Sequence, residues 1–237
     1  MRFYLGLIFL MAHPILAADE YAAARAGMIE EIEETVSYTS EHIGKQTLSP
    51  GVMQVMARVP RHEFVAAELR PYAYRNRPLP LQENQTISQP YIVALMTDLA
   101  DLDSEDVVLE IGTGSGYQAA VLAEIVSRVY SIEIIETLGK QARATLERLG
   151  YANIFLQIGD GYHGWPEQAP FDAILVTAAP ETVPKALLQQ LKPGGRLVIP
   201  VGKQNSVQTL RVLEKDENGE IVNRDVLPVG FVPLTRN

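Results

Sequence analysis

A glycine-rich segment, Glu110–Tyr117, follows an apolar run at the point where a strand would turn into a helix. Glycines at such a turn let the backbone approach a ligand closely. Loops that bind dinucleotides carry a further Gly three positions after their second Gly, but this position is Tyr117, counted from Gly114. We therefore expect Gly112, Gly114 and Gly116 to bind an adenosine that lacks a pyrophosphate, such as S-adenosylmethionine.

Two acidic residues extend this interpretation. Glu133 ends the next predicted strand, twenty-one residues after Gly112, where a carboxylate accepts hydrogen bonds from both ribose hydroxyls. Its charge disfavours a 2′-phosphate, which argues against NADP. Glu110 would help to hold the charged methionine end, through water. The alternative for Glu133 is a surface acid at a strand end.

The next two predicted strands end in different ways. Gly159-Asp160-Gly161 would lie at the carboxyl edge of the sheet, where Asp160 would accept the adenine amino group and Gly161 would let the ring approach. An ordinary Asp-Gly turn is the alternative. The other end, Thr177–Pro180, lacks the acidic or amide side chain and the aromatic residue that hold a flipped base, which argues against a nucleic-acid substrate.

Composition excludes several classes of site. The 237 residues are 47% hydrophobic and 21% charged, as in ordinary globular proteins. The formal net charge of -9 disfavours binding to nucleic acid or anionic lipid. Cysteine is absent, so disulfides, thiolate nucleophiles and zinc ribbons are excluded, and the four histidines lack metal-ligand spacing. We predict no metal site.

The N-terminus has the pattern of a secretory signal. Arg2 precedes the apolar run Phe3–Met11, and small residues follow up to Ala17 and Ala18. Residues 1–18 would be cleaved, which leaves 19 basic and 29 acidic residues and a formal net charge of -10. We expect an exported, periplasmic protein without a permanent membrane span. A buried N-terminal helix or a misassigned start codon is the alternative.

The remaining chain divides into a helical and an alternating part. Helices are predicted over Tyr21–Ser40, from Ser49-Pro50 to Pro60, and over Pro90–Leu102, with an extended loop at Arg75–Gln85. From Asp106, apolar strands alternate with helices, which predicts an α/β fold whose mostly parallel sheet has helices on both faces. A hairpin over residues 207–232 would close the sheet.

The second part contains five predicted strands and three predicted helices. Strands are expected at Val107–Ile111, Val129–Glu133, Asn153–Ile158, Phe171–Val176 and Arg196–Val201, and helices at Gly116–Val126, Thr137–Gly150 and Thr182–Leu191. Residues 19–104 would form an N-terminal helical region with an active-site loop. Residues 105–237 would form the cofactor-binding domain, with 49–104 packed against it as one unit.

Five segments of the chain form one set: Gln85–Pro90, then, after sixteen residues and a strand, Gly112–Tyr117, and further on Gly159–Gly161, Leu191–Leu197 and Val232–Thr235. Together they resemble the protein-L-isoaspartate O-methyltransferase family from about Ser49 to Thr235, and Gln85–Pro90 is the most specific of them. The resemblance implies a Rossmann-like methyltransferase fold with an N-terminal helical extension. It also implies the donor S-adenosylmethionine.

The same resemblance assigns residues to the site. Ser88 matches the active-site serine, and Gln85, Thr86, Ile87 and Ser88 would line the methionine end and the substrate. Glu133 matches the ribose-binding acid, Asp160 with Gly161 the adenine-side pair, and Thr235 a threonine near the cofactor. From spacing alone, Ser88 would instead cap the helix after Pro90.

Two features depart from the family pattern. Asn84 stands where the family usually has Gly, which would stiffen or re-aim the Gln85–Ser88 loop. The export signal is unusual for a family that is normally cytoplasmic, and a cytoplasmic location is the alternative.

The resemblance implies methyl transfer to the free α-carboxylate of L-isoaspartyl residues in damaged proteins, followed by return to a succinimide. This carboxylate is ionised at neutral pH, so no general base is needed. The expected partners are damaged proteins, and we expect a monomer. The alternatives are a non-catalytic cofactor- or partner-binding module and a small-molecule O-methyltransferase.

Overall fold

The computed structural model describes residues 19–204 and 206–236. The predicted signal segment, residues 1–18, lies outside these residues. Within the described ranges, no helix combines the length and the apolar character that crossing a bilayer requires.

Three helices form the N-terminal layer: α1 (Ala22–Ile43), α2 (Pro50–Arg58) and α3 (Pro90–Leu99). α1 buries Met28, Ile32 and Val36, one helical turn apart, and leaves its glutamates exposed. α2 begins after Ser49, whose hydroxyl accepts a hydrogen bond from the Val52 N–H at 3.3 Å, as its Ser-Pro start predicts. Two 3₁₀-helices follow α2, at Arg61–Phe64 and Ala67–Tyr72.

The predicted extended loop before α3 contains a small β-hairpin. Strands β1 (Leu79–Pro80) and β2 (Thr86–Ile87) pair in antiparallel fashion. Their turn has positive φ at both central residues, Glu83 (57°) and Asn84 (56°), with the Gln85 N–H donating to the Gln82 carbonyl at 3.1 Å. The Leu81 N–H also donates to the Gln85 carbonyl at 2.8 Å, so this tight turn fixes where residues 85–88 begin.

A seven-stranded sheet with the order β5-β4-β3-β6-β7-β8-β9 forms the centre of the remaining part. The first five of these strands are parallel, β8 and β9 are antiparallel, and β9 is an edge strand, which confirms the predicted mostly parallel sheet and C-terminal hairpin. The strands are β3 (Val107–Ile111), β4 (Arg128–Glu133), β5 (Ile154–Ile158), β6 (Phe171–Val176), β7 (Leu191–Val201), β8 (Gln208–Lys215) and β9 (Ile221–Val229).

Two predicted boundaries near β7 were wrong. The helix α6 covers only Lys185–Gln189, because Pro184 is extended and disfavours helical backbone in the residue before it. The strand β7 already begins at Leu191 and includes the predicted turn Pro193-Gly194-Gly195. A register shift in its pairing with β6 accommodates this segment.

Helices cover both faces of the sheet, as predicted. Helices α4 (Tyr117–Ala123) and α5 (Glu136–Arg148) follow β3 and β4, and two further 3₁₀-helices, Gly161–His163 and Pro166–Gln168, follow β5. Adjacent strand residues such as Val108 and Leu109 belong to different hydrophobic clusters, one against the N-terminal layer and one against α6. The carboxyl ends of the parallel strands therefore open at one edge of a sheet that is held from both sides.

Candidate active site

A pocket lies at the carboxyl ends of β3, β4 and β6. Five separate segments contribute most of its wall: residues 85–88, 111–115, 132–135, 177–178 and 232–235. Gly161, Tyr117 and Gln118 also line it. The structure thus brings together the predicted residues Gln85, Thr86, Ile87, Ser88, Gly112, Gly114, Glu133, Gly161 and Thr235.

The glycine loop requires glycine where it crosses the end of β6. Gly112 has a φ of 96°, and a Cβ at this position would lie 2.7 Å from the Thr177 hydroxyl oxygen. That hydroxyl donates a hydrogen bond to the Gly112 carbonyl at 2.6 Å. At Gly114 (φ 53°), a Cβ would have no neighbour closer than 3.9 Å. The loop is therefore tied down at Gly112 and leaves space for a ligand at Gly114.

Glu133 holds the glycine loop from β4. Its carboxylate accepts hydrogen bonds from the Gly114 N–H at 2.7 Å and the Ile135 N–H at 2.9 Å, one on each oxygen. The residue is only 5% exposed and lines the pocket, so it is not a surface acid. A carboxylate has about four acceptor sites, which leaves capacity for two ribose hydroxyls.

The other predicted acid, Glu110, is buried beneath the loop and does not line the pocket. The Ser131 hydroxyl donates to one of its oxygens and lies 2.6 Å from the Thr113 hydroxyl. Burial raises the pKa of Glu110 to about 8, with Ser131 opposing the shift, so this side chain is mostly protonated at neutral pH. Glu110 supports the loop from behind. Gly116, at the N-terminus of α4, likewise lies outside the pocket wall.

Asp160 is not among the residues that line the pocket. One carboxylate oxygen accepts a hydrogen bond from the Tyr162 N–H at 2.9 Å and caps the short helix after β5. The other lies 3.6 Å from Arg236 Nε. Its neighbour Gly161 does line the pocket, where a Cβ would come within 2.3 Å of Ile111. This geometry agrees with the Asp-Gly turn, and adenine recognition by Asp160 stays a prediction.

Ser88 lies between β2 and the start of α3. The N-cap residue of α3 is Gln89, and no side chain makes a capping hydrogen bond there, so the capping interpretation of Ser88 was wrong. Its hydroxyl makes no hydrogen bond to any other residue that the structure describes. The hydroxyl is therefore available to a ligand.

The C-terminal segment, residues 232–235, also lines the pocket. The Leu234 N–H donates to the Ala179 carbonyl at 2.9 Å, and the Ala179 N–H donates to the Val232 carbonyl at 2.8 Å. These bonds join the segment to the loop after β6 and leave Thr235 exposed at the rim.

Arg61 supports the pocket from outside its lining, and sequence reasoning missed it. It is completely buried, and its guanidinium donates to the Ser88 carbonyl at 2.6 Å and the Ala73 carbonyl at 2.8 Å. The same group lies 4.7 Å from the centre of the Tyr117 ring. Desolvation lowers the pKa of Arg61 to about 10, which still leaves it charged at neutral pH. In the sequence, Arg61 is a single arginine after the proline that ends a helix, and this pattern does not predict its buried position beside Ser88.

Comparisons with known proteins agree with one another. The family model for protein-L-isoaspartate(D-aspartate) O-methyltransferase matches residues 37–237. A relative from Syntrophobacter fumaroxidans, protein-L-isoaspartate O-methyltransferase 2, is 63% identical over 219 residues, which are 92% of this chain and 89% of the relative. A protein-L-isoaspartate O-methyltransferase from Opitutus terrae is 50% identical over 236 residues and aligns with 100% of this chain and 99% of its own.

Solved structures give the same result for the fold. A protein-L-isoaspartate O-methyltransferase superposes with a TM-score of 0.76 at 30% identity, over 88% of this chain and 65% of that one. A structure from Plasmodium falciparum, in complex with S-adenosyl-L-homocysteine, gives a TM-score of 0.72 at 23% identity, over 88% and 98% of the two chains. At 23% identity, the Plasmodium falciparum structure shows similarity of fold alone.

Proposed function

Because this chain belongs to the protein-L-isoaspartate O-methyltransferase family, we propose that its pocket holds S-adenosylmethionine beside the free α-carboxylate of an L-isoaspartyl residue. The enzyme is an S-adenosylmethionine-dependent protein carboxyl O-methyltransferase that acts on damaged proteins. The resulting methyl ester returns to a succinimide, from which normal aspartate can form.

The residues of the pocket fit this cofactor. Glu133 offers acceptors for the ribose hydroxyls, and Gly114 leaves room for a close approach. Gly161 also lines the pocket, beside Ile111. Ile111 and Ile132 supply apolar surface for the adenine, while residues 85–88 provide polar groups for the methionine end. When bound, the cofactor supplies a methyl group on a positively charged sulfur.

The residues have to orient the substrate and exclude water. A carboxylate oxygen forms a bond to the methyl carbon as the carbon–sulfur bond breaks, and the electron pair of that bond stays on sulfur, so no proton moves. The α-carboxyl group has a pKa near 3.5 and is already ionised. Catalysis therefore depends on alignment rather than on a general base.

The observation that carries this assignment is the unengaged hydroxyl of Ser88 at the pocket wall. It can donate a hydrogen bond to one oxygen of the substrate carboxylate while the other oxygen faces the methyl group. Arg61 supports this role, because its bond to the Ser88 carbonyl fixes the backbone from which the hydroxyl projects.

Paired peptides test the proposal. The purified chain is given labelled S-adenosylmethionine and one peptide with L-isoaspartate or the same peptide with L-aspartate. The carboxylate of aspartate lies one methylene further out, and a misplacement near 1 Å costs about a hundredfold, so we expect at least this ratio of kcat/KM values. Equal rates would indicate a general carboxyl methyltransferase. Binding of the cofactor without transfer to either peptide would indicate a non-catalytic module.

We also propose that the protein is exported, on the basis of Arg2, the apolar run Phe3–Met11 and the small residues at Ala17 and Ala18. Fractionation of cells that express the intact gene, followed by N-terminal sequencing, should place a chain that starts at Ala18 or Asp19 outside the cytoplasmic membrane. A cytoplasmic product that starts at Met1 would contradict export and leave the enzymatic proposal intact.

A further inference from the structure

A groove continues from the pocket between α1 and the segment after β9. Its volume of about 770 Å³ lies within the roughly 300–1,000 Å³ typical of ligand sites. The groove and the pocket share Thr86, Ser88, Thr177 and Val232. A molecule in the groove would therefore lie against the same serine that we assign to the substrate carboxylate.

The surface of the groove carries no ionised side chain. All eighteen residues that form it are uncharged, although the chain as a whole has 49 charged residues. Two of the most exposed large hydrophobic residues in the described chain, Tyr38 (90% exposed) and Val207 (75%), lie on it. Exposed apolar side chains that gather at a concave site indicate a binding surface.

We propose that this groove binds the polypeptide on either side of the isoaspartyl residue and selects uncharged, preferably apolar or aromatic, flanking residues. The proposal rests on the proposed function, because the position of the groove is defined by Ser88. Its occupant is a segment of the damaged protein, since the groove is continuous with the pocket that holds the reacting carboxylate.

Charge supports this choice of flanking residues. A charged side chain that enters the groove loses water and meets no opposite charge on its walls. An acidic flank is further disfavoured by the net negative charge of the enzyme. An apolar flank would cover Tyr38 and Val207, which are otherwise exposed to water.

The α1 wall lies at the border of the family match. Thr35 precedes residue 37, where the match to the family model begins, and Tyr38 follows it immediately. With Thr39, these residues form the part of the groove wall that α1 supplies.

Isoaspartyl peptides that differ only in their two flanking residues test the selection. We compare Leu or Tyr flanks with Glu or Lys flanks and measure KM and kcat with labelled S-adenosylmethionine. We expect KM to be at least about tenfold higher for the charged flanks, because each unpaired charge loses its hydration. Equal KM values for all flanks would overturn the inference while leaving the proposed function intact. No methylation of any peptide would overturn both.

Substitutions on the enzyme locate the effect. Tyr38→Ala and Val207→Ser alter exposed side chains, so we expect both variants to fold. Each should raise KM for the Leu-flanked peptide about fivefold, from roughly 40 Å² of lost apolar contact, with little change in kcat. Val222→Ser, at an exposed valine of β9 that does not line the groove, is the matched control. If Tyr38→Ala and Val207→Ser raise KM no more than Val222→Ser does, the assignment of the groove to the flanking residues is wrong.

Sedimentation distinguishes the peptide from a second copy of the chain. We expect the oligomeric state of the wild type to be the same as that of the Tyr38→Ala variant. Self-association that depends on Tyr38 would assign the groove to a second copy and overturn the inference.

Discussion

Glu110 and Glu133 lie on neighbouring strands but in different environments. Glu133 reaches the pocket and binds two backbone N–H groups, whereas Glu110 is sealed beneath the loop with one oxygen that has no partner among the described residues. Because of these positions, Glu133 can bind a ribose, whereas Glu110 can only support the glycine loop. Sequence spacing placed both near the glycines but could not show which of them would be buried.

The hydroxyl of Ser88 is expected to matter for turnover rather than for folding. Ser88→Ala removes a group that makes no hydrogen bond to the described residues, so the melting temperature should change by no more than a few degrees. Turnover of an isoaspartyl peptide should fall about tenfold to a hundredfold, because only orientation is lost. Thermal unfolding and labelled methyl transfer measure the two effects. Unfolding at lower temperature with unchanged turnover per folded molecule would favour a structural role.

The buried Glu110 should make stability depend on pH. Its pKa is about 8 in the folded chain and near 4.5 when unfolded, so between these values the folded state binds one more proton. Stability then falls as pH rises from about 4.5 to 8. Glu110→Gln removes this proton uptake. The free energy of unfolding of the variant minus that of wild type should therefore increase by a few kcal/mol, in order of magnitude, as pH rises from about 4.5 to 8.

Urea unfolding at pH 5 and pH 8 measures this effect. Glu34→Gln, a substitution of an exposed glutamate on α1, should leave the pH dependence of the wild type unchanged. The same pH dependence in Glu110→Gln and wild type would show that Glu110 does not titrate as described.

At the scale of elements, Asn84 explains how the β1–β2 hairpin tolerates a residue other than glycine. Its φ of 56° is left-handed, and Asn is among the residues that accept this conformation best. Asn84 can therefore hold the left-handed conformation that a glycine at this position would also allow.

A pair of substitutions at Asn84 tests this account. Asn84→Gly should retain stability within about 0.5 kcal/mol, while Asn84→Val should cost about 1–2 kcal/mol, because a β-branched residue resists left-handed backbone. Because residues 85–88 follow the turn directly, Asn84→Val should also lower kcat/KM. Chemical unfolding and peptide kinetics measure both, and equal stability of the two variants would contradict the assigned turn.

Sequence patterns predicted most elements because their signals are local. The apolar strands β3 and β6 were placed correctly, and α2 followed from its Ser-Pro start. The extent of β7 could not be predicted, because its pairing across a glycine-containing segment depends on a neighbouring strand. Arg61 could not be predicted for the same reason, since its partners lie twelve and twenty-seven residues away.

At the scale of the whole molecule, one hydrophobic cluster joins the N-terminal layer to the sheet. It contains Met28 of α1, Val52 of α2 and Leu95 of α3 together with Val108 and Val198 of the sheet. The helical region and the cofactor-binding region therefore share a core.

This shared core predicts a single unfolding transition. The only tryptophan, Trp165, packs on the opposite side of the sheet, 5.3 Å from the Tyr130 ring. Trp165 fluorescence and the circular dichroism of the helices should therefore give the same midpoint in urea. Loss of helical signal before the change in fluorescence would show that the N-terminal layer unfolds separately.

The assembly of the pocket from five distant chain segments links folding to the supply of methyl donor. An unfolded chain holds no version of this pocket, so the donor binds only the native state. At a concentration one hundred times its Kd, a ligand of this kind stabilises the native state by about 2.7 kcal/mol. The enzyme's resistance to unfolding, and hence to proteolysis, should rise and fall with the donor concentration around it.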